Sequence, residues 1–231
     1  MTDTLDTKAA RSAILGKVTR ALDAGDADKK ARQKKIAARI AKHKRGVVPK
    51  RGQVAAADRR KLFMSQIIAL SGTAEHVGSA EEVPKAIAAY LKQYNLPAKI
   101  RAGSDKRLQK FDWTKTPTLE VTHGPARDDD KAGLTHAVSG VAETGSLLLA
   151  SSGDNPTSLN FMPDHNIVVV DAKTVDACYE DGFDRIRKDQ KANALPRSIN
   201  FITGPSRTAD IEQVIYYGAH GPKHLHVIVV G

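Results

Sequence analysis

Two short runs constrain this chain more than anything else in it: NIVVVD at 166–171, and LHVIVVG, which ends at Gly231. Each is an almost unbroken stretch of apolar, mostly β-branched residues, without the polar alternation of a strand that is wet on one side. A strand of that kind is buried on both faces, and such strands belong to parallel sheets covered by other elements. INFITG, at 199–204, reads as a third buried strand.

Upstream, the apolar period changes from segment to segment. RRKLFMSQIIALSG places Leu62, Phe63, Ile67 and Leu70 on one helical face, and EEVPKAIAAYLKQYN does the same through Val83, Ile87 and Leu91. TAEHVG, AKIRAG and TLEVTHG read as strands, with SDKRLQKFDW between the last two. THAVSGVAETGSLLLASS suggests two strands broken between Gly140 and Gly145, and TVDACYEDGFDRIRKD reads as a helix. Strand–helix alternation of this kind predicts an α/β fold with a largely parallel sheet flanked by helices. No repeat of solenoid length is visible.

Charge divides the 231 residues in two. Residues 1–61 hold 18 Lys and Arg against 6 Asp and Glu, a balance of +12, whereas residues 62–231 hold 18 against 20, or −2. The expected organisation is therefore a basic helical arm and linker over 1–61 and an α/β domain over 62–231. In the arm, Ile14, Leu15, Val18 and Leu22 share one helical face; KKARQKKIAARIAKHKRG continues with Ile36 and Ile40 among its cations. So little apolar surface calls for a partner to pack on. The arm can be solvated, dock on another subunit, or hold nucleic acid by charge. With few aromatics and no DNA-binding motif, the first two readings are favoured and nucleic acid is not expected.

No stretch approaches the ~20 apolar residues that cross a bilayer, and the first residues lack a signal peptide's apolar segment and cleavage site. A cytoplasmic protein is expected. One cysteine, Cys178, excludes an intrachain disulfide framework and an iron–sulfur cluster ligated by this chain alone. It reads as a small semi-buried residue rather than a nucleophile.

Four segments carry candidate chemistry. In AETGS, Glu143 stands beside Thr144, Gly145 and Ser146; a carboxylate on such a turn can orient a ligand, act as a base or attack, or simply be solvated. In ITGPSRTADIE, Thr208 can cap a helix starting at Ala209, with Asp210 and Glu212 suiting its dipole. Gly204, Ser206 and Arg207 ahead of it suit an anion at the strand's carboxyl end. The glycines match neither a dinucleotide fingerprint nor a Walker loop. In HGPKHLHV, His224 and His226 fall on one strand face, and His220-Gly221-Pro222 echoes His123-Gly124-Pro125. Without a matching Cys or carboxylate cluster no metal is expected. The long loop SSGDNPTSLNFMPDHN offers Asn160, Asp164 and His165 to a ligand, with Phe161 and Met162 as apolar anchors.

In order, GVAETGSLLL, PDHNIVVVD, ITGPSRTADIE and GAHGPKHLHVIVV resemble the LUD domain, and more closely the lactate-utilization protein C (LutC/YkgG) family, over roughly residues 60–231. Lys223-His224 stands where the family tends to carry a basic pair, and the Lys/Ala-rich stretch at 26–46 exceeds the family's linker. The resemblance implies a NagB/RpiA/CoA-transferase-like fold. It also implies a part in oxidising L-lactate to pyruvate beside iron–sulfur partner proteins. With one cysteine and no Rossmann fingerprint, the chain would bind no cofactor itself and serve as a non-redox subunit. Its small carboxylate or phosphate ligand would meet Glu143, Thr144, Gly145, Ser146, His165, Gly204, Ser206, Arg207, Thr208 and His220. Self-association is compatible with this reading. The alternative is a CoA- or phosphosugar-type transferase or isomerase that uses Glu143, by analogy with the glutamate of the related transferases.

Overall fold

The structure, a computed structural model, describes residues 7–24, 29–189, 195–210 and 213–231. The chain divides into two compact units, Met1–Gly46 and Val47–Gly231. The first unit carries helices α1 (Thr7–Ala24) and α2 (Lys29–Lys42). Alanine, lysine and arginine favour the helical state without a core. The apolar stripe stands in the open: Ile14, Leu15, Val18, Leu22, Ile36 and Ile40 are 49–72 % exposed.

Residues 47–61, grouped with the arm by charge, belong by contacts to the second unit. Gly52 is buried so close to the Ala177 carbonyl and the Glu143 side chain that no Cβ would fit there. Helix α3 (Ala56–Ala69) already begins within this stretch.

The second unit is built on β1 (Thr73–Val77), β2 (Lys99–Ala102), β3 (Glu120–His123), β4 (Ala132–His136), β7 (His165–Asp171) and β12 (His224–Val230). They form one sheet in the order β1-β12-β7-β4-β2-β3. Every pairing in it is parallel. The unbroken runs are the adjacent interior strands β12 and β7, and their residues alternate between two cores. Ile167, Val169 and Ile228 pack with Val83, Ile87 and Leu91 of helix α4 (Val83–Gln93). Val168, Val170, Val227 and Val229 pack on the other face with Phe63 and Ile67 of α3. Burial on both faces is why these strands carry no polar alternation. A capping box between Ser79 and Glu82, followed by Pro84, starts α4.

A second sheet shares the α3 face. Strands β5 (Ser139–Val141), β6 (Ser146–Ala150), β8 (Val175–Asp176) and β9 (Ile199–Ile202) run in the order β8-β5-β6-β9. The β5–β6 and β6–β9 pairs are antiparallel. Leu147 and Leu149 of β6 enter the core shared with α3. Helix α5 (Tyr179–Asp189) covers this sheet, with Gly182 against Leu148 and Ser139.

Three expectations change here. INFITG is not a strand of the parallel sheet: β9 is the edge of the second one, with Phe201 exposed. Asn200 in its middle already breaks the apolar run, as suits an edge that is wet on one side. The helix read from Thr174 begins only at Tyr179, because Val175 and Asp176 pair with β5. The helix expected from Ala209 is absent from the described residues. Arg207–Thr208 (β10) instead pairs antiparallel with Tyr216–Tyr217 (β11), while Ile211 and Glu212 lie outside the described residues. Thr208 and Asp210 make a local side-chain turn rather than a helix cap, with Thr208 Oγ1 3.1 Å from Asp210 Oδ2.

Candidate functional site

Where the carboxyl end of β9 meets the amino ends of β7 and β12, the fold leaves a pocket of about 220 Å³. Thr203, Gly204, Pro205 and Ser206 line one side and His220, Gly221 and Pro222 another, with Asn160 and Asn166 also in the lining. The carboxyl end of β9 is where the sequence placed a ligand. In the parallel sheet, however, the pocket sits at the amino ends of the strands.

Local chemistry fixes this geometry. Gly204 takes a φ of +83°, and its Cα lies against Leu70 of the turn after α3. A left-handed residue is required there, and glycine adopts it without steric cost. Ser206 staples the two sides: its N–H donates to the Pro222 carbonyl at 2.9 Å and its own carbonyl accepts from Gly218 N–H at 3.0 Å. Its Oγ accepts from His220 N–H at 3.3 Å, which leaves the hydroxyl hydrogen to donate elsewhere.

Two residues of the lining carry unmet acceptors. Asn160 and Asn166 are 2 % and 1 % exposed, and Oδ1 of each has no hydrogen-bond partner. Buried amides are normally paired, but both oxygens are sealed from solvent, so they lie behind the cavity surface rather than on it. Phe161, Phe201, Ile202 and Leu225 add apolar surface. Among the described residues, no Lys, Arg, Asp or Glu lines the pocket.

The AETGS turn lies behind this wall and is tied to it. Ser146 Oγ is 2.6 Å from Thr203 Oγ1, 2.7 Å from the Tyr179 hydroxyl and 2.8 Å from Thr144 Oγ1. Gly145, at φ +68°, presses on the backbone of α3 at Gln66 and Ile67. Glu143 is 3 % exposed, its Oε2 has no partner, and it does not line the pocket.

The predicted ligand residues thus separate into three sets. Gly204, Ser206 and His220 line the pocket, and Thr144 and Ser146 support it through Thr203. Arg207, which is exposed, and Thr208 lie beyond it on the hairpin. His165 lies outside the lining, because successive residues of a strand point to opposite faces and Asn166 takes the pocket side. The expected anchors Phe161 and Met162 are exposed, and Leu159 is the buried anchor of their loop. Asn166 was legible only as a strand residue. Its signal was an amide at the head of a run otherwise fit for full burial.

His165 instead heads an aromatic array on the α4 face. Its Nδ1 hydrogen-bonds the Tyr90 hydroxyl at 2.9 Å, and its ring stacks on His224 with centroids 4.3 Å apart. His226, on the same side as His224, stacks on Tyr90 and reaches Glu75 at 3.0 Å. Burial, then the neighbouring His224, lowers the His165 pKa to about 4, and burial lowers that of His224. Among the described residues, no group of three or more His, Cys, Asp or Glu is arranged to hold a metal ion.

A six-stranded parallel sheet with a smaller sheet packed on one face, and a pocket between the smaller sheet's edge and the amino ends of β7 and β12, defines the class of α/β domain. Within it, this chain belongs to the LUD domain family, whose match runs over residues 27–230. Lactate utilization protein C of Bacillus subtilis is 34 % identical over 54 % of this chain and 56 % of its own length. That of Shouchella clausii is 36 % identical over 42 % and 43 %, and the YkgG protein of Escherichia coli 32 % over 43 % and 44 %. For several of these relatives the chain spans less than half of their length. The crystal structure of a DUF162 family protein from Deinococcus radiodurans shares the fold. Its TM-score is 0.56 at 23 % identity, over 77 % of this chain and 99 % of that one.

Proposed function

We propose that this chain serves L-lactate utilization as a non-redox, ligand-binding subunit acting in the cytoplasm beside iron–sulfur proteins. The observation that carries the ligand-binding part is the pocket itself, with Gly204, Ser206 and His220 of the two glycine-bearing turns in its lining. The names of the relatives point to lactate as the compound concerned. A hydroxy acid of that size has room in the cavity, with the Ser206 hydroxyl to donate and Phe161, Phe201 and Leu225 to take its methyl group. Arg207 follows one lining segment directly and brings positive charge near it, whereas Lys223, after the other, is paired with Asp164 at 3.2 Å.

The division of labour follows from the sequence. Cys178 is the sole thiol, and burial raises its pKa away from the reactive thiolate form. The electrons of lactate oxidation would then pass through centres on partner proteins. The transferase alternative needs Glu143 to attack a substrate. A carboxylate that is buried behind Gly52 and absent from the pocket lining is poorly placed for attack and better placed to shape the turn.

Gly221 offers a clean test. A Cβ there would meet Ser206 Cβ at 3.5 Å and Phe161 Cδ1 at 4.0 Å, ordinary contacts, so a larger side chain can enter the pocket without breaking the fold. In a host that depends on this chain for growth on L-lactate, Gly221→Leu is expected to abolish that growth. Growth on other carbon sources and the amount of folded protein should stay unchanged. Undiminished growth on lactate would contradict the proposal.

A further inference from the structure

Most of the large apolar side chains that the α/β unit leaves exposed gather around the rim of the pocket. Val214, Ile215, Tyr216 and Tyr217 are consecutive and 42–59 % exposed. Phe161 and Phe201 of the lining, with Met162 next to Phe161, are 36–50 % exposed. The hairpin that carries the four grows out of the pocket wall, because the Ser206 carbonyl accepts from Gly218 N–H at 3.0 Å. Gly221, at its other root, stands against both Ser206 and Phe161. We propose that two copies of this chain pair through this surface, with Val214–Tyr217 of each at the contact. The proposal holds whatever fills the pocket.

Extent, shape and charge point to a second copy as the occupant. Taking ~200 Å² for each large side chain when fully exposed, the seven present roughly 600 Å². Two copies would then bury roughly 1,200 Å² between them, the lower end of a stable interface. Strands β10 and β11 pair only with each other, and an isolated two-stranded ribbon is marginal in water. Valine, isoleucine and tyrosine are strong strand formers. Among the described residues, Val214 and Ile215, which lead into β11, make no backbone hydrogen bond. An open edge of this composition is a template for another strand. When two copies pair the same edge antiparallel, a two-fold axis relates them and the assembly closes as a dimer. Among the described residues of the hairpin, Arg207 and Asp210 give one charge of each sign. Lys223, whose stem lies against Gly218, is matched by Asp164. A copy therefore does not repel its twin here, whereas the strongly basic arm would repel its own kind.

Sedimentation velocity of the full chain over a wide range of concentration tests this, and the chain is expected to sediment as a dimer. Ile215→Lys and, separately, Val214→Lys set like charges against each other at the contact. Both positions are exposed and lie outside the β10–β11 ladder, so thermal melts of the variants should match that of the parent chain. Each variant should weaken dimerisation at least about thirtyfold. A chain that stays monomeric throughout overturns the inference and leaves this surface to a different protein. A dimer that persists undiminished in both folded variants places the contact elsewhere, the arm included, and overturns it too.

Discussion

His165 opens β7 with its ring between Tyr90 and His224, with Tyr94 edge-on and Asp164 and Lys223 nearby. Its pKa of about 4 means that the fold holds it neutral where an unfolded chain, near 6.5, would protonate it. His136, buried and beside Arg107, is likewise lowered to about 4. The unfolded state therefore binds more protons between these two values. Stability is fully present above pH 6.5 and is lost progressively as the pH falls to about 4. Thermal melts across that window should fall with pH, and more gently in His165→Gln, which keeps only the His136 and His224 shares. Equal slopes would show that His165 is not held neutral. At this scale the candidate site was half legible. Gly204, Ser206 and His220 stood out as a hydroxyl and an imidazole on glycine-bearing turns, but Arg207 drew attention by its charge and lies outside the pocket. Asn166, which is part of the lining, was hidden inside a strand pattern.

Among the elements, α3 joins the two sheets. Phe63 is fully buried, and its ring lies against Gly140 of β5 so closely that a Cβ there would meet it at 2.8 Å. Phe63→Ala empties that contact and is expected to cost about 3–5 kcal/mol, read as a lowered urea midpoint with an unchanged slope. A loss below about 1 kcal/mol would mean that the helix is held by something else. The helices α3 and α4 and the runs β7 and β12 were legible because their apolar periods have one explanation each. The second sheet was not. Its strands are short, and β9 finds its partner β6 across a long stretch of intervening chain. The hairpin was misread for a related reason: Thr208 and Asp210 carry the same local signals whether they cap a helix or close a turn, and only pairing with Tyr216 and Tyr217 decides between them.

At the scale of the whole molecule, charge and structure divide the chain differently. The positive balance is concentrated in the first 61 residues, while compact packing of the α/β unit begins at Val47. Among the described residues, no helix is long and apolar enough to cross a membrane. The central claim is that a ligand of lactate utilization sits in the pocket between the second sheet's edge and the amino ends of β7 and β12. An amide proton–nitrogen correlation titration of the full chain with L-lactate tests it most directly. The account predicts saturable shifts centred on Gly204, Ser206, Gly221 and Leu225. Shifts centred instead on the opposite end of the parallel sheet, around His136 and Arg107, or none at saturating lactate, would contradict it.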